Sequence, residues 1–433
     1  MPLLEEDGGD FSLVGQIKVE GDQVINLSKS MERSIRMIAV ELKRNDPTLA
    51  KTHTDDEWRQ TVRSCLAFAL AKINTGSDPD EHAKGALVTL RKSLKEYTYG
   101  PREFVFGCTL FEAPNIPGFD IGPVRFEPRS EWLTRKEQDG AIKKITARRV
   151  RQTWSGHKSR KRKGSVDALF EHSILSTVGE NPYVCSVKTT GLAPEAGRLK
   201  ALTAARLAMT AIALRWEIPS DPLRGFNLTM DGAPRSQKTL AFVPNVMFTT
   251  SETSHVMPYG AAISAAEWTT ELSTHRLLFD SVGEAIDYFI NATGNVARPN
   301  LMNTLSQALL WFHEGCREHV TLMAVVKFSA SLEALAMGKE SEGILKLIAA
   351  RLGMARDQLI RKDGPTLQAA IDKIYKDGRS QTIHGNSRWI GHDWSSTRMV
   401  SEILSRLCLI SALTWAARNQ MSDDPSLLRE VGR

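Results

Sequence analysis

The apolar pattern changes character once along this 433-residue chain, and the change restricts the folds open to it. From Pro299 onward, apolar residues recur only at the three- and four-residue spacing of a helix face. Leu305, Ala308, Leu309 and Phe312 mark one helix, and Leu322, Val325, Val326, Ser329, Leu332 and Leu335 mark a second. Ile344, Leu347, Ile348 and Leu352 mark a shorter third; "TLQAAIDKIYKDG" follows. A last helix over about 395–419 carries Val400, Ile403, Leu404, Leu407, Ile410 and Leu413. Pro299 suits a first helical position, where a missing N–H costs nothing. Long amphipathic helices with short connections favour an antiparallel bundle.

Upstream the periods are mixed. Helices are expected over 28–44, over Asp55–Asn74 after "TDDEW", and over 80–97 after Pro79. "REFVFGCTLF", "IGPVRFEP" and "NPYVCSVKTTG" are β-branched and aromatic, bounded by Gly and Pro, and read as strands. A strong helix is expected over 194–216, then a strand or strand pair over 238–250. The Gly/Pro/Asn-rich "ATGNVARPN" reads as a domain boundary.

Bulk properties exclude several classes. With 42% hydrophobic and 24% charged residues, the chain can bury an ordinary core. The opening "MPLLEEDGGDF" is acidic without an apolar run, so no secretory leader is expected. The apolar windows Leu202–Trp216 and Val320–Met337 contain charges, so neither reads as a membrane span. Cys65, Cys108, Cys185, Cys316 and Cys408 are scattered, which argues against a disulfide framework or zinc ribbon and for a reducing cytoplasm. The net charge of +6 fits a polyanionic partner only weakly.

Three stretches could carry chemistry. The tract "AIKKITARRVRQTWSGHKSRKRKG", 141–164, is basic throughout. Its bland reading is a solvated charge run or surface loop. Its functional reading is a phosphate-backbone contact, with Lys158, Arg160, Lys161, Arg162 and Lys163 as RNA-binding candidates and Trp154 and His157 available to stack on bases. "HEGCREH", 313–319, could hold a metal through His313 and Cys316, but a polar face of a bundle helix is the commoner meaning. Phosphate-binding glycine loops and a nucleophile elbow are absent.

The third stretch is "IYKDGRSQTIHGNS", with Arg379 and His384. Cleaving RNA without a metal requires a base for the ribose 2′-OH and a fixed cation for the charge on phosphorus. Imidazole and guanidinium supply them. The spacing alone is unspecific, because Arg151 and His157, six apart, also fit an Arg-x(4–6)-His pattern. In an unbroken α-helix, residues five apart diverge by about 140°, so Gly378 and Gly385 are expected to permit a local break. Ser380 is a small polar neighbour able to orient phosphate or the arginine, and Glu333 in "SLEAL" can position Arg379.

Residues of about 299–420 resemble the Apea-like branch of the HEPN superfamily. The resemblance rests on "LSQALLWFHEG", "KFSASLEALAMG", "ILKLIAARLG" and above all "IYKDGRSQTIHG". It implies a helical bundle that dimerises. Arg379 and His384, matching the family's Arg-x(4–6)-His motif, would then meet across the two-fold axis as one composite, metal-independent endoribonuclease site, with Ser380 as the usual polar residue after the arginine. Members are often toxins or anti-phage proteins. Where partner nucleotidyltransferases control such toxins, a tyrosine stands two positions after the histidine; Asn386 stands here and argues against that control.

The expected fold is therefore mixed. An N-terminal α+β sensor or regulatory region spans 1–298, divisible into a helical 1–100 and an α+β 101–298, and an all-α HEPN-like helical bundle spans 299–433. The expected function is a metal-independent endoribonuclease effector of toxin or abortive-infection type. The alternative is a non-catalytic RNA- or nucleotide-binding dimeric module. No cofactor, metal or membrane is expected. The expected partners are an RNA substrate, a second copy of the chain through the C-terminal bundle, and a phage-borne or small-molecule trigger at the N-terminal region.

Overall fold

The computed structural model describes residues 13–18, 24–71, 78–96, 99–157, 164–231, 236–241, 250–255, 260–291 and 296–431. Helices hold 65% of the chain and the strands are few, so the expected mixed class is observed. The chain divides into two compact units: Met1–Arg102 with Thr189–Lys200 and Asn291–Gly294, and Glu103–Lys188 with Ala201–Ile290 and Asn295–Arg433.

In the first unit, β1 (Leu13–Lys18) and β2 (Val24–Ser28) pair antiparallel, with Ile17 opposite Ile25. Ser28 then caps α1 (Lys29–Asn45) by accepting from the Met31 N–H. Helices α2 (Pro47–Thr52), α3 (Asp55–Ala71) and α4 (Pro79–Glu96) follow. Leu27, Ile35, Trp58 and Val62 form the local core, and the Trp58 indole donates to the Ala39 carbonyl at 2.8 Å. The three expected helices are present; the hairpin went unread.

The second unit opens with β3 (Arg102–Thr109), β4 (Phe119–Ile121) and β5 (Val124–Pro128). Then come α5 (Arg129–Gln138), α6 (Lys144–Trp154), α7 (Val166–Val178) and β6 (Tyr183–Thr189). Helices α8 (Pro194–Ala213) and α9 (Ser220–Gly225) precede the short β7 (Asn227–Leu228). The sheet order is β4-β5-β6-β3-β7, with β4–β5, β5–β6 and β3–β7 antiparallel. Phe126 faces Cys185 and Val124 faces Val187 across the β5–β6 register. Strands β8 (Ser236–Ala241) and β9 (Thr250–His255) form a separate antiparallel pair. At the β4–β5 turn, a Cβ on Gly122 would lie 2.6 Å from the Gly283 Cα, so these two backbones meet only because both residues are glycine.

Helices α10 (Ala265–Thr274) and α11 (Arg276–Ile290) lead into α12 (Pro299–Arg317), α13 (Thr321–Leu335) and α14 (Glu340–Leu352). Helix α15 (Leu367–Asp372) runs into a π-helical turn over Lys373–Ser380 and the short α16 (Gln381–Ile383). Helix α17 (Ser395–Arg418) closes the bundle. It is long and apolar enough to cross a membrane by length and composition, but half of its apolar window is buried inside the protein, as in a core helix. Neither apolar window weighed from the sequence is this one.

The division expected at 298/299 does not separate two cores. One apolar cluster runs from Phe126 and Cys185 of the sheet through Met209 and Ile212 to Phe312, Leu332 and Leu409 of the bundle. Pro299 does begin a helix, but Arg298 before it is 3% exposed. Its Nε donates to Glu284 Oε1 at 2.9 Å, and its Nη1 donates to the carbonyls of Ala416 at 2.6 Å and Asn419 at 3.1 Å. A buried guanidinium bound to two helices is an anchor, whatever the composition around it suggests. Arg298→Ala should lower unfolding stability by about 2–4 kcal/mol, because Glu284 and the carbonyls lose their partner. The urea midpoint would record this, and an unchanged midpoint would restore the linker reading.

Candidate active site

Arg379 lies in the π-helical turn, where the Gln381 N–H bonds the Lys376 carbonyl five residues back. The wider turn is seated by Gly378, where a Cβ would lie 2.8 Å from Val325 Cγ1 of α13. The chain thus stays helical through Arg379 where a break was expected. The break comes later. Gly385, at φ +72°, ends the helix as a left-handed cap. The Asn386 N–H reaches the Gln381 carbonyl and the Gly385 N–H reaches that of Thr382, the pair of bonds of a Schellman motif. Single π turns recur at functional sites.

The Arg379 side chain is 24% exposed and is held from two sides. Its Nη2 lies 2.5 Å from Glu333 Oε2 on α13, so the expected Glu333–Arg379 pairing is present. Its guanidinium also sits over the Tyr375 ring, 5.3 Å from the centroid. Burial first, and then the Glu333 carboxylate, push the Tyr375 hydroxyl above its ordinary range. Tyr375 was missed, although it stands four residues before Arg379 in the stretch already singled out, the spacing that puts two side chains on one helical face. Beyond Glu333, the chain passes through Met337, Gly338, Lys339 and Glu340, all at positive φ. Each non-glycine residue there costs about 1–2 kcal/mol, so the α13–α14 corner is held against local preference.

His384 and Ser380 differ from Arg379. His384 is exposed, and its ring has no hydrogen-bond or ionic partner among the described residues; only its N–H bonds the Ser380 carbonyl, at 3.0 Å. The Ser380 hydroxyl likewise has no partner among the described residues. No hydrogen bond joins Arg379 to His384 within the chain. The segment that carries His384 exposes apolar side chains among polar ones: Ile383 is 56% exposed, Trp389 41% and Ile390 71%, beside exposed Asn386, Arg388 and His392.

The other candidates resolve differently. Lys158, Arg160, Lys161, Arg162 and Lys163 lie outside the described residues. Upstream of them, 144–154 is helix α6 and no loose charge run, with Thr146, Ala147 and Val150 buried. Several of its cations are consumed internally: Lys143 with Asp167 at 3.0 Å, Arg149 with Glu171 at 2.7 Å and Arg151 with Glu137 at 2.7 Å. Arg151, which with His157 also fits an Arg-x(4–6)-His pattern, is thereby structural. Trp154 packs beneath Arg129, 4.9 Å from its guanidinium, and His157 is exposed.

The metal reading of 313–319 finds no support. His313 is buried and shares a hydrogen bond with Thr210 Oγ1 at 2.9 Å, Cys316 is buried, and His319 is exposed. No group of three potential ligands occurs among the described residues. Burial, with Arg317 and Arg206 nearby, lowers the His313 pKa from 6.5 to about 3. The sign follows directly. Between pH 6.5 and 3 the unfolded chain binds a proton that the folded chain refuses, so stability falls as pH drops through this window. The slope of unfolding free energy against pH between 4 and 6.5 should flatten in His313→Gln; an unchanged slope would assign it to other groups.

The Glu333–Arg379 pair is accessible to a double-mutant cycle. Glu333→Gln and Arg379→Gln, alone and together, should give a coupling of about 1 kcal/mol in chemical denaturation, the upper end for a partly exposed ion pair. Strict additivity would show that Glu333 does not hold Arg379.

No protein-family model, no curated protein and no solved structure matches the chain. The residues themselves carry the functional argument.

Proposed function

We propose that the chain is a metal-independent endoribonuclease built on an HEPN-like bundle, with Arg379 and His384 as its catalytic pair and a second copy completing the site. The observation that carries this reading is the division between the two residues. Arg379 is oriented in advance by Glu333 and Tyr375, while His384 stands exposed and unengaged on the same helical segment.

Each state suits its task. A cation that stabilises developing charge works best when fixed beforehand, because no reorganisation is then needed at the moment of reaction. One N–H of Arg379 serves Glu333, leaving others for phosphate oxygens. A base must reach its proton, and His384 is accessible. In the proposed reaction, His384 removes the ribose 2′-OH proton. The oxygen attacks the adjacent phosphorus, the bond to the 5′-oxygen breaks and that oxygen gains a proton. The products are a 2′,3′-cyclic phosphate and a 5′-hydroxyl end. Arg379 neutralises the charge carried by the phosphoryl oxygens between these states.

The exposed Ile383, Trp389 and Ile390, on the segment that carries His384, are consistent with a two-copy arrangement, because exposed apolar side chains are available to a contact surface. A second copy seated there brings a second arginine to each histidine. An activity of this kind arrests growth, which fits the toxin or abortive-infection role that the family resemblance implies.

The test is cleavage of total RNA by purified protein in EDTA, beside Arg379→Ala and His384→Ala. Each substitution should reduce cleavage by about 100-fold or more while leaving the melting temperature within a few degrees, and fragments should end in cyclic phosphate. Cleavage that requires added magnesium or manganese, or that survives His384→Ala, overturns the proposal.

A further inference from the structure

A second candidate site lies elsewhere in the larger unit. A cleft of about 400 Å³ opens where α5 and α6 meet the β5 and β6 ends of the sheet. That volume is within the range of small-molecule sites. Pro114, Pro128 and Pro182 give it rigid apolar walls, and the Trp154 indole gives it a flat one. Ser130 and Ser155 add hydroxyls, and Arg129, Arg151 and Glu180 add charge.

The charges are not equivalent. Arg151 is bound to Glu137 at 2.7 Å, so it contributes shape more than charge. Arg129 is half-buried, stacks on Trp154 at 4.9 Å and has no ion pair among the described residues; its guanidinium makes one long hydrogen bond of 3.4 Å to the Gly179 carbonyl. Burial lowers its pKa, and Glu180 offsets this only in part. Glu180 is exposed and has no ion-pair partner among the described residues. One cleft therefore holds a guanidinium and a carboxylate that line the same space without pairing to each other, between a planar aromatic wall and proline walls. At the start of α5 the Arg129 N–H bonds the Pro182 carbonyl at 2.9 Å, and Pro128 supplies no side-chain acceptor to the amides that follow.

A ligand matching this set has a flat ring to lie against indole and guanidinium, an anionic group for Arg129, and adjacent N–H donors for Glu180. A purine nucleotide has all three. Guanine presents two neighbouring N–H groups on one edge, the arrangement a carboxylate accepts best, whereas adenine presents only an amino group and a ring acceptor there. We propose that this cleft binds a purine mononucleotide, with guanine preferred. The inference is independent of the ribonuclease reading, and none of the lining residues belongs to the Arg379–His384 site.

Calorimetric titration of the full chain with GMP, AMP, guanosine and inorganic phosphate tests it. GMP should bind with a Kd below about 1 mM, more tightly than AMP or guanosine, with phosphate weakest. Arg129→Gln, which keeps a planar group over Trp154, should weaken GMP about tenfold and narrow its advantage over guanosine. Glu180→Gln should erase the preference for GMP over AMP. Arg379→Ala should leave GMP binding unchanged, separating this cleft from the other site. Circular dichroism establishes that each variant is folded; Arg129→Lys takes the place of Arg129→Gln should that one unfold. Absence of mononucleotide binding, binding indifferent to Arg129 and Glu180, or binding abolished by Arg379→Ala each overturns the proposal.

Discussion

Arg298 is buried where the chain turns into its long helices, with its guanidinium shared between Glu284 and the carbonyls of Ala416 and Asn419. This one side chain fixes the start of α12 against the middle of α11 and the end of α17. The rest of the bundle is registered from there. Helix α12 packs on α13 through Phe312 and Phe328, whose rings lie 5.4 Å apart. A Cβ on Gly315 would stand 2.8 Å from the Phe328 ring, so the two helices approach closely. Helix α13 then presents Val325 to Gly378 and Glu333 to Arg379. The position of the arginine is thus set by a succession of tight contacts, and close-packed interiors transmit displacement along such a succession.

The helical half was legible because its period is long, regular and uninterrupted: α12, α13, α14 and α17 lie where their apolar spacing puts them. The region between β5 and β6 was not legible, for a physical reason. Helix α7 exposes Val166, Leu169 and Phe170 while burying Glu171, which inverts the pattern a sequence reading depends on. Helix α6 was hidden by its charge, since a run of Lys and Arg reads as solvated until its partners in other elements are known. The partners, Glu137, Asp167 and Glu171, are distant in sequence. The boundary near 299 failed similarly. Gly, Pro and Asn signal a local turn, and a turn between two helices of one core has the same composition as a linker between two cores.

At the candidate site, residue identity was readable and geometry was not. Glu333 was expected beside Arg379 and is there. The π turn was not foreseen, because it depends on how closely Gly378 approaches Val325, a tertiary fact with no local signature. It bears on the spacing argument. The 140° divergence that led us to expect a break holds for α geometry, and a π turn changes the angular relation between the residues on either side of it. A search for the Arg-x(4–6)-His pattern therefore gathers pairs with quite different geometry. Arg151 on α6 is consumed by Glu137 and His157 lies beyond the end of that helix; Arg379 and His384 stand on a distorted helix and its cap, with the histidine free.

That freedom has a consequence on the proposed reading. Within one chain, Arg379 cannot be released to follow a substrate without losing Glu333 and the Tyr375 ring, whereas His384 follows the Gly385-terminated end of its helix. A catalytic pair with one member fixed and the other unsupported is half organised. A partner surface is the cheapest way to organise the rest, since burying Ile383, Trp389 and Ile390 supplies apolar free energy of about 25 cal/mol per Å² without any new polar design. The ordering of His384 would then depend on protein concentration. On that reading, activity per molecule should rise with protein concentration, in step with association.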